Sequence, residues 1–346
     1  MIEFSRLATV VILLVSVGTV AAQEQLPLVK VIATGGTIAN TPSGRLHAGE
    51  VAEAIPQLKQ VARLEVEEVI RVGSSSIKIE NWLTLARRIN EILAKEPEVK
   101  GVVVTHGSNT VEETGYFLSL TVKSDKPVVL TAAQRQFRAL SSDSPKNFLQ
   151  AVRVAATDEA RGKGALIVTN DVINAARDVT KTMTYRLETY SSHDLGVLGY
   201  VDEDRVTFYR APLKQHTRAT PFDVSRLQHL PRVEIIYTAV DTDGALIDAA
   251  VAHAKAEGLI IAGFPTGSGT PAMDEAVKRV AAQGIPVVMT NRGGMGRSTE
   301  TAARAKEARP LIFGDNLTPQ KARILLMLAL TTTKDPAEIQ RIFERY

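Results

Sequence analysis

The sequence predicts an α/β protein with a larger N-terminal domain, in which helices flank a mostly parallel sheet, and a smaller C-terminal α/β domain. The chain has 346 residues, which is more than one hydrophobic core usually organises. Short apolar runs alternate with amphipathic stretches, an order typical of parallel strands covered by helices on both faces. One polar, proline-containing stretch interrupts this alternation. We therefore expect domains at residues 23–212 and 233–346, joined by a linker at residues 213–232.

The elements of both domains follow from apolar periodicity. In the first domain, the predicted strands cover residues 28–34, 64–72, 101–105, 127–131 and 165–169, and the predicted helices cover residues 51–62, 81–94, 110–120 and 148–160. In the second domain, strands are predicted at residues 233–237, 258–262 and 286–290, and helices at residues 246–256 and 272–282. The last two helices begin where a capping residue precedes proline, at Thr318-Pro319 and Asp335-Pro336.

The N-terminus has the layout of a secretory signal. Arg6 precedes an apolar run over residues 7–20, and the small residues Ala21-Ala22 follow it. A membrane anchor is the alternative, but the run is short for a bilayer span and polar residues follow at once. We therefore predict a signal peptide at residues 1–22 and a periplasmic mature protein that is free of the membrane.

Composition excludes several classes of function. The net charge is only +3 and no lysine or arginine cluster stands out, so the sequence predicts neither a nucleic-acid partner nor binding to a membrane surface. The chain has no cysteine, which excludes disulfides, thiolate catalysis and cysteine-ligated metals.

Three polar segments follow predicted strands, where parallel sheets bind their ligands. The first, residues 34–39, has two glycines that allow a sharp turn and leave the hydroxyls of Thr34 and Thr37 near the strand end. As a pattern alone it also fits a phosphate turn or a structural turn, although it lacks the lysine of a P-loop.

The second segment, residues 105–110, opens a predicted helix, whose free N–H groups suit an anionic group. Helix capping by Ser108 or Asn109 is the alternative interpretation. The third segment, residues 177–182, contains Lys181. A buried lysine can lose its proton and act as a base, but an exposed loop lysine is commoner.

Together these segments resemble the bacterial-type L-asparaginase and glutaminase-asparaginase family, and most of all its exported type II members. The similarity runs in order through nearly the whole mature chain, and the matching segments are residues 33–39, 55–58, 82–86, 105–107, 112–114, 125–129, 177–182, 220–225 and 318–323.

The resemblance implies hydrolysis of the side-chain amide of L-asparagine to L-aspartate and ammonia. Thr37 matches the family's nucleophile, which forms an acyl-enzyme. Ser108 takes the place of a second active threonine, and Lys181 matches the lysine that polarises that hydroxyl. The resemblance implies no metal and no organic cofactor. It also implies a homotetramer in which each site lies between the first domain of one subunit and the second domain of its neighbour.

The resemblance also assigns the binding of a small amino-acid amide. Ser74 matches a serine that binds the substrate's α-carboxylate, and N–H groups near Gly107 would bind an oxyanion or carboxylate. Asn109 stands where the family motif has an aspartate that holds the substrate's ammonium, so we expect weaker substrate binding. In the second domain, Glu300 is a candidate for the acid that completes a neighbouring site.

A second departure lies at residues 40–50, which are shorter than in the family and lack its active-site tyrosine. Only His47 and Arg45 offer polar side chains with enough reach to take its place there. Two alternatives therefore stay open: a glutaminase-asparaginase of broad amide specificity, and a catalytically impaired periplasmic relative that binds amino acids.

Overall fold

The computed structural model describes residues 26–299 and 311–346. An eight-stranded sheet forms its larger part, in the order β12-β11-β8-β7-β6-β5-β1-β4. Its strands are β1 (Leu28–Gly35), β4 (Arg63–Val72), β5 (Val99–Thr105), β6 (Val128–Thr131), β7 (Ala165–Thr169), β8 (Val172–Ala175), β11 (Gly199–Val201) and β12 (Val206–Phe208). The short pairs β2 (Asn40–Thr41) with β3 (Gly44–Arg45) and β9 (Thr180–Lys181) with β10 (Tyr190–Ser191) lie beside it.

In the order of the sheet, β4, β1, β5, β6 and β7 pair in parallel with one another. Beyond β7, strands β8, β11 and β12 extend the sheet with antiparallel pairs. Helices cover both faces. The helices of this part are α1 (Ala48–Glu53), α2 (Ile79–Lys95), α3 (Val111–Thr121) and α4 (Ser144–Ala156). Side chains of α2 and α3 join the core on one face, and those of α1 and α4 join the core on the other.

The second sheet has the order β13-β14-β15-β16 and is wholly parallel. It comprises β13 (Val233–Tyr237), β14 (Gly258–Gly263), β15 (Val287–Asn291) and β16 (Ile312–Phe313), with helices α5 (Ala245–Ala252), α6 (Pro271–Ala281), α7 (Pro319–Ala329) and α8 (Pro336–Arg345). One hydrophobic cluster runs from the first sheet through α3 and α7 to the second sheet. The two sheets therefore share a continuous core.

The predicted α/β class with two sheets of unequal size is confirmed, and several helix ends differ from the prediction. The helix expected at residues 51–62 ends at Glu53. Ile55 precedes Pro56, which disfavours the helical conformation, and Ile55 has a φ of −122°. The helix expected to reach residue 160 ends at Ala156, where Thr157 becomes extended. The helix expected to reach residue 256 ends at Ala252.

The main architectural feature missing from the prediction is the antiparallel edge. A tight turn at Asn170 and Asp171, both with positive φ, reverses the chain between β7 and β8. This is the backbone twist of a type I′ hairpin, which asparagine and aspartate tolerate. The predicted signal peptide lies outside the described residues, and the predicted domain boundaries stay a prediction. Among the described residues, no helix combines the length and apolar character that crossing a membrane requires.

Candidate active site

Three neighbouring parallel strands bring Ser74 and two of the predicted polar segments, residues 34–39 and 105–110, to one end of the larger sheet. In the order β4, β1, β5, these strands end just before Ser74, Thr37 and Ser108. Residue Ala33 pairs with Thr105 across β1 and β5, so the two strands end at the same level. The Thr34 hydroxyl donates to the Thr105 carbonyl at 3.0 Å and fastens these ends together.

The turns that follow these strands are in backbone contact. Gly36 has φ of 91°, and a β-carbon there would lie 2.4 Å from the Cα and N atoms of Gly107. A β-carbon on Gly107 would in turn lie 2.6 Å from the Ser74 Oγ atom. Only glycine allows this approach. The segments carrying Thr37, Ser108 and Ser74 therefore lie directly against one another.

Thr37 lies in a single 3₁₀ turn, Thr37–Ala39, and is half-buried. Its backbone is anchored next to the hydroxyl, because the Ile38 carbonyl accepts a 2.6 Å hydrogen bond from the buried Ser144 hydroxyl. In the part of the chain that the structure describes, the Thr37 hydroxyl has no hydrogen-bond partner. The Thr37 hydroxyl is therefore carried on an anchored backbone and is free to contact a ligand.

Lys181 reaches Ser108 from the antiparallel pair β9 and β10. Its Nζ atom donates to the Ser108 Oγ atom at 2.9 Å and to the Asn109 Oδ1 atom at 3.3 Å. Tyr190, which faces Lys181 across the pair, donates its hydroxyl to the Ser108 carbonyl at 2.7 Å. Ser108 is thus held through its side chain and its backbone.

The surroundings of Lys181 favour loss of its proton. Burial lowers the pKa of Lys181, and the charge of Glu112 opposes this effect without cancelling it. Its two hydrogen-bond partners are neutral, and no salt bridge to Lys181 occurs among the described residues. A lysine with a lowered pKa beside a hydroxyl can act as a base toward it.

His106 is structural in this arrangement. It is fully buried, and burial lowers its pKa to about 4, so the ring is neutral near pH 7. The Trp82 indole donates to the Thr114 hydroxyl at 2.8 Å, which in turn donates to His106 Nε2 at 2.9 Å. His106 Nδ1 then donates to the Gly107 carbonyl at 2.8 Å. This relay fixes the turn before Ser108.

The predicted binding residues also meet at this end of the sheet. The Asn109 N–H donates to Ser74 Oγ at 3.3 Å, and the Thr110 hydroxyl donates to the Ser74 carbonyl at 3.0 Å. Within the described residues, the N–H groups of Gly107 and Ser108 have no acceptor. Ser74 is buried, whereas the Asn109 side chain is exposed. This end of the sheet therefore offers two free N–H donors and a serine hydroxyl to an anionic group.

The segment that lacks the family's tyrosine forms the hairpin β2–β3 and the start of α1. An Arg45 guanidinium nitrogen lies 3.0 Å from where a Gly35 β-carbon would be, so Arg45 covers the glycine turn. His47 instead faces solvent beside Glu68 and Arg71. The candidate Glu300 lies outside the described residues. Among those described, no cluster of three or more metal-ligating side chains occurs.

Two residues next to the candidate site were not predicted from the sequence. Tyr190 lies nine positions after Lys181. The antiparallel pairing of β9 with β10 brings it beside Lys181, and the apolar periodicity of the sequence does not predict this pairing. Glu112 belongs to residues 112–114, to which the resemblance assigns no role, yet it is buried and its charge acts on Lys181. A buried acid one turn after Ser108 is visible in the sequence only as one of two adjacent glutamates.

Two family models and several known proteins match this chain. Residues 28–214 match the family model "Asparaginase, N-terminal", and residues 232–343 match "Glutaminase/Asparaginase C-terminal domain". The chain is 42% identical to L-asparaginase 2 of Bacillus subtilis, over 96% of this chain and 90% of that protein. It is 38% identical to the Haemophilus influenzae protein described as "Probable L-asparaginase periplasmic", over 95% of each.

A solved structure has the same fold. The crystal structure of "Probable Cytoplasmic L-asparaginase from Campylobacter jejuni" superposes with a TM-score of 0.88 at 38% identity, covering 92% of this chain and all of that one. The two family models together account for both sheets of the present structure. This chain therefore belongs to the asparaginase family.

Proposed function

We propose that this protein hydrolyses the side-chain amide of L-asparagine to L-aspartate and ammonia, with Thr37 as the nucleophile. Membership of the family makes it an amidohydrolase. One observation supports the assignment of residues: the Gly36 turn, which precedes Thr37, packs against Gly107, which precedes the serine that Lys181 contacts.

We assign these residues the following reaction. The Thr37 oxygen attacks the side-chain carbonyl carbon of asparagine, and its proton passes to neutral Lys181, directly or through Ser108. The tetrahedral intermediate then collapses, the C–N bond breaks, and ammonia leaves with the returned proton. Water attacks the resulting ester, releases aspartate and restores the Thr37 hydroxyl. Lys181 serves as base and then as acid, which requires a pKa lowered toward the working pH.

Substrate binding involves the neighbouring groups. The free N–H groups of Gly107 and Ser108, together with the Ser74 hydroxyl, would hold a carboxylate or a developing oxyanion. Asn109 offers the substrate's ammonium a neutral oxygen that already accepts from Lys181. A neutral acceptor binds a cation less tightly than a carboxylate by about 1–2 kcal/mol. We therefore propose a rather weak affinity for the α-ammonium group.

Ammonia release from the purified protein tests this function. The wild type should release ammonia from L-asparagine, and Thr37→Ala should reduce the rate by about 10³-fold or more. Thr37→Ser keeps a hydroxyl and should retain measurable turnover. Equal release by wild type and Thr37→Ala would refute the assignment of the nucleophile, and no release from wild type would refute the proposed function.

The same assay with L-glutamine decides between narrow and broad specificity. One additional methylene changes selectivity by only about 1–3 kcal/mol, so both amides are reasonable substrates for this site. Values of kcat/KM within about tenfold of each other would identify a glutaminase-asparaginase. Tight binding of either amino acid without turnover would identify a binding protein instead.

We propose in addition that the protein is exported to the periplasm and works as a homotetramer. The charged, apolar and small-residue order of residues 1–22 supports export, and the Haemophilus influenzae relative is described as periplasmic. The Campylobacter jejuni protein is described as cytoplasmic, so cell fractionation with mass spectrometry of the mature N-terminus is the test. Sedimentation analysis of the purified protein tests the tetramer.

A further inference from the structure

Lys321 is a buried lysine that the proposed reaction does not use. It lies in the first turn of α7, a helix of the smaller sheet, and is 1% exposed. Its Nζ atom donates to the Arg177 carbonyl at 2.8 Å and to the Val179 carbonyl. It also lies 3.9 Å from the Glu112 Oε2 atom. An ammonium group has three N–H donors, and each has an acceptor or a carboxylate to face.

These partners belong to the two segments that form the candidate site. The Arg177 and Val179 carbonyls belong to the turn that leads directly into β9, which carries Lys181. Glu112 lies in the first turn of α3, four positions after Ser108. Lys321 therefore connects both halves of the Lys181–Ser108 contact to a helix of the other sheet.

We propose that Lys321 is a positioning residue, which holds the turn before Lys181 against the start of α3 and neutralises Glu112. This inference rests on the proposed function, in which Lys181 must lose a proton beside Ser108. Lys321 itself touches neither Ser108 nor the side chain of Lys181 among the described contacts.

The charge balance explains why a lysine is needed there. Glu112 is buried, and its Oε2 atom has no hydrogen-bond partner among the described residues, while its Oε1 atom accepts from Gln320 at 3.4 Å. A buried carboxylate needs a compensating charge. Without Lys321, the unbalanced charge of Glu112 would act on Lys181, which it already influences, and would keep that lysine protonated to higher pH.

The other charged groups facing Lys321 are Glu113 on α3 and the pair Arg177 and Asp178 on the turn. Burial lowers the pKa of Lys321 to about 8, because desolvation outweighs the attraction of the three acids. Burial likewise raises the pKa of Glu113 to about 7. Glu112 is the only one of these acids whose charge also acts on Lys181, so it is the link between the two lysines.

The experiment compares Lys321→Met with the double variant Lys321→Met/Glu112→Gln, which leaves no unbalanced carboxylate and so guards against a failure to fold. The control is Lys123→Met. Lys123 follows the other end of α3 and donates to the Thr220 carbonyl and hydroxyl, both at 2.8 Å, away from the site. Each protein is assayed for kcat and KM on L-asparagine and for thermal stability.

A second readout does not depend on turnover. The rate at which acetic anhydride modifies Lys181, followed by peptide mass spectrometry over a range of pH, reports the pKa of that lysine directly. A residue that only stabilises the fold would change the melting temperature without moving this titration.

We expect Lys321→Met to lower kcat by about tenfold or more with little change in KM, because the turn before Lys181 loses its anchor. Its Lys181 titration should move up by about half a pH unit or more. In the double variant the titration should return to the wild-type pH or below, while kcat stays low. Lys123→Met should change neither quantity.

A wild-type kcat and an unmoved Lys181 titration in Lys321→Met would overturn the proposal and leave Lys321 a purely stabilising residue. So would an equal loss of kcat in Lys123→Met. If wild-type protein releases no ammonia, the proposed function fails, but the labelling experiment still decides whether Lys321 sets the state of Lys181.

Discussion

Replacing Gly36 with alanine probes the contact that places Thr37. Gly36 has φ of 91° and ψ of −177°, a region that only glycine occupies readily, and forcing another residue into it costs about 1–3 kcal/mol. The new β-carbon would also lie 2.4 Å from two backbone atoms of Gly107. Such overpacking costs about another 1–3 kcal/mol of stability, because the backbone atoms in contact must shift. We expect a total loss of stability of roughly 2–6 kcal/mol.

The functional effect should exceed the effect on stability. Because the clash is with backbone rather than with a flexible side chain, the Thr37 turn must move away from Gly107. A misplacement of about 1 Å can lower turnover by about 10²-fold. Urea denaturation gives the stability loss, and ammonia release at saturating L-asparagine, under conditions where the variant is folded, gives kcat.

Two glycines provide matched controls. Gly44 also has positive φ but a β-carbon there meets nothing within 4 Å, so Gly44→Ala isolates backbone strain. Gly49 has neither a positive φ nor an atom within 4 Å of an added β-carbon. Gly49→Ala in helix α1 should therefore be neutral or slightly stabilising. Both controls should keep wild-type kcat. A Gly36→Ala protein with a kcat within about twofold of wild type would refute the claim that this contact positions the nucleophile.

Three further outcomes are expected. Asn109→Asp should lower KM for L-asparagine by about tenfold, because a full charge would face the substrate's ammonium, and an unchanged KM would contradict that role. The new carboxylate would also lie near Lys181, so the acidic limb of kcat/KM should move to higher pH. In the wild type, kcat/KM should rise with pH and level off below 10.5, the ordinary pKa of lysine, because burial lowers the pKa of Lys181 and its neutral form is active; a flat profile would argue against Lys181 as the base. His106 is buried in its neutral form, and burial lowers its pKa from 6.5 to about 4. The unfolded chain therefore binds a proton more readily than the folded protein, so the free energy of unfolding is highest above pH 6.5 and falls as the pH drops toward 4. This loss should reach about 3 kcal/mol in urea denaturation, and it should disappear in His106→Gln.

Much of the fold was predictable because its central strands are buried on both faces. Strands such as Gly258–Gly263 and Ala165–Thr169 are buried throughout and coincide with predicted apolar runs. Strand order places the turns after β4, β1 and β5 side by side, so the glycine-containing segments expected after two of these strands lie together. The hairpin at Asn170 and Asp171 was missed because the turn lacks the glycine that usually marks this type of reversal.

Contacts between distant segments were beyond prediction. From the sequence, Lys321 is expected to be an exposed polar residue in the first turn of a helix, because lysine is rarely fully buried. Its burial depends on carbonyl groups as far as 144 positions away in the chain. The closeness of Gly36 to Gly107 likewise depends on the register of two strands, which periodicity alone does not specify.

The most direct test of the central claim is to identify the residue that carries the acyl group. Wild-type protein is mixed with L-asparagine, quenched in acid within a single turnover, and digested for peptide mass spectrometry. An aspartyl ester on Thr37, absent from Thr37→Ala, is the predicted result. An ester on Ser108, or turnover in Thr37→Ala at the wild-type rate, would contradict the assignment of Thr37 as the nucleophile.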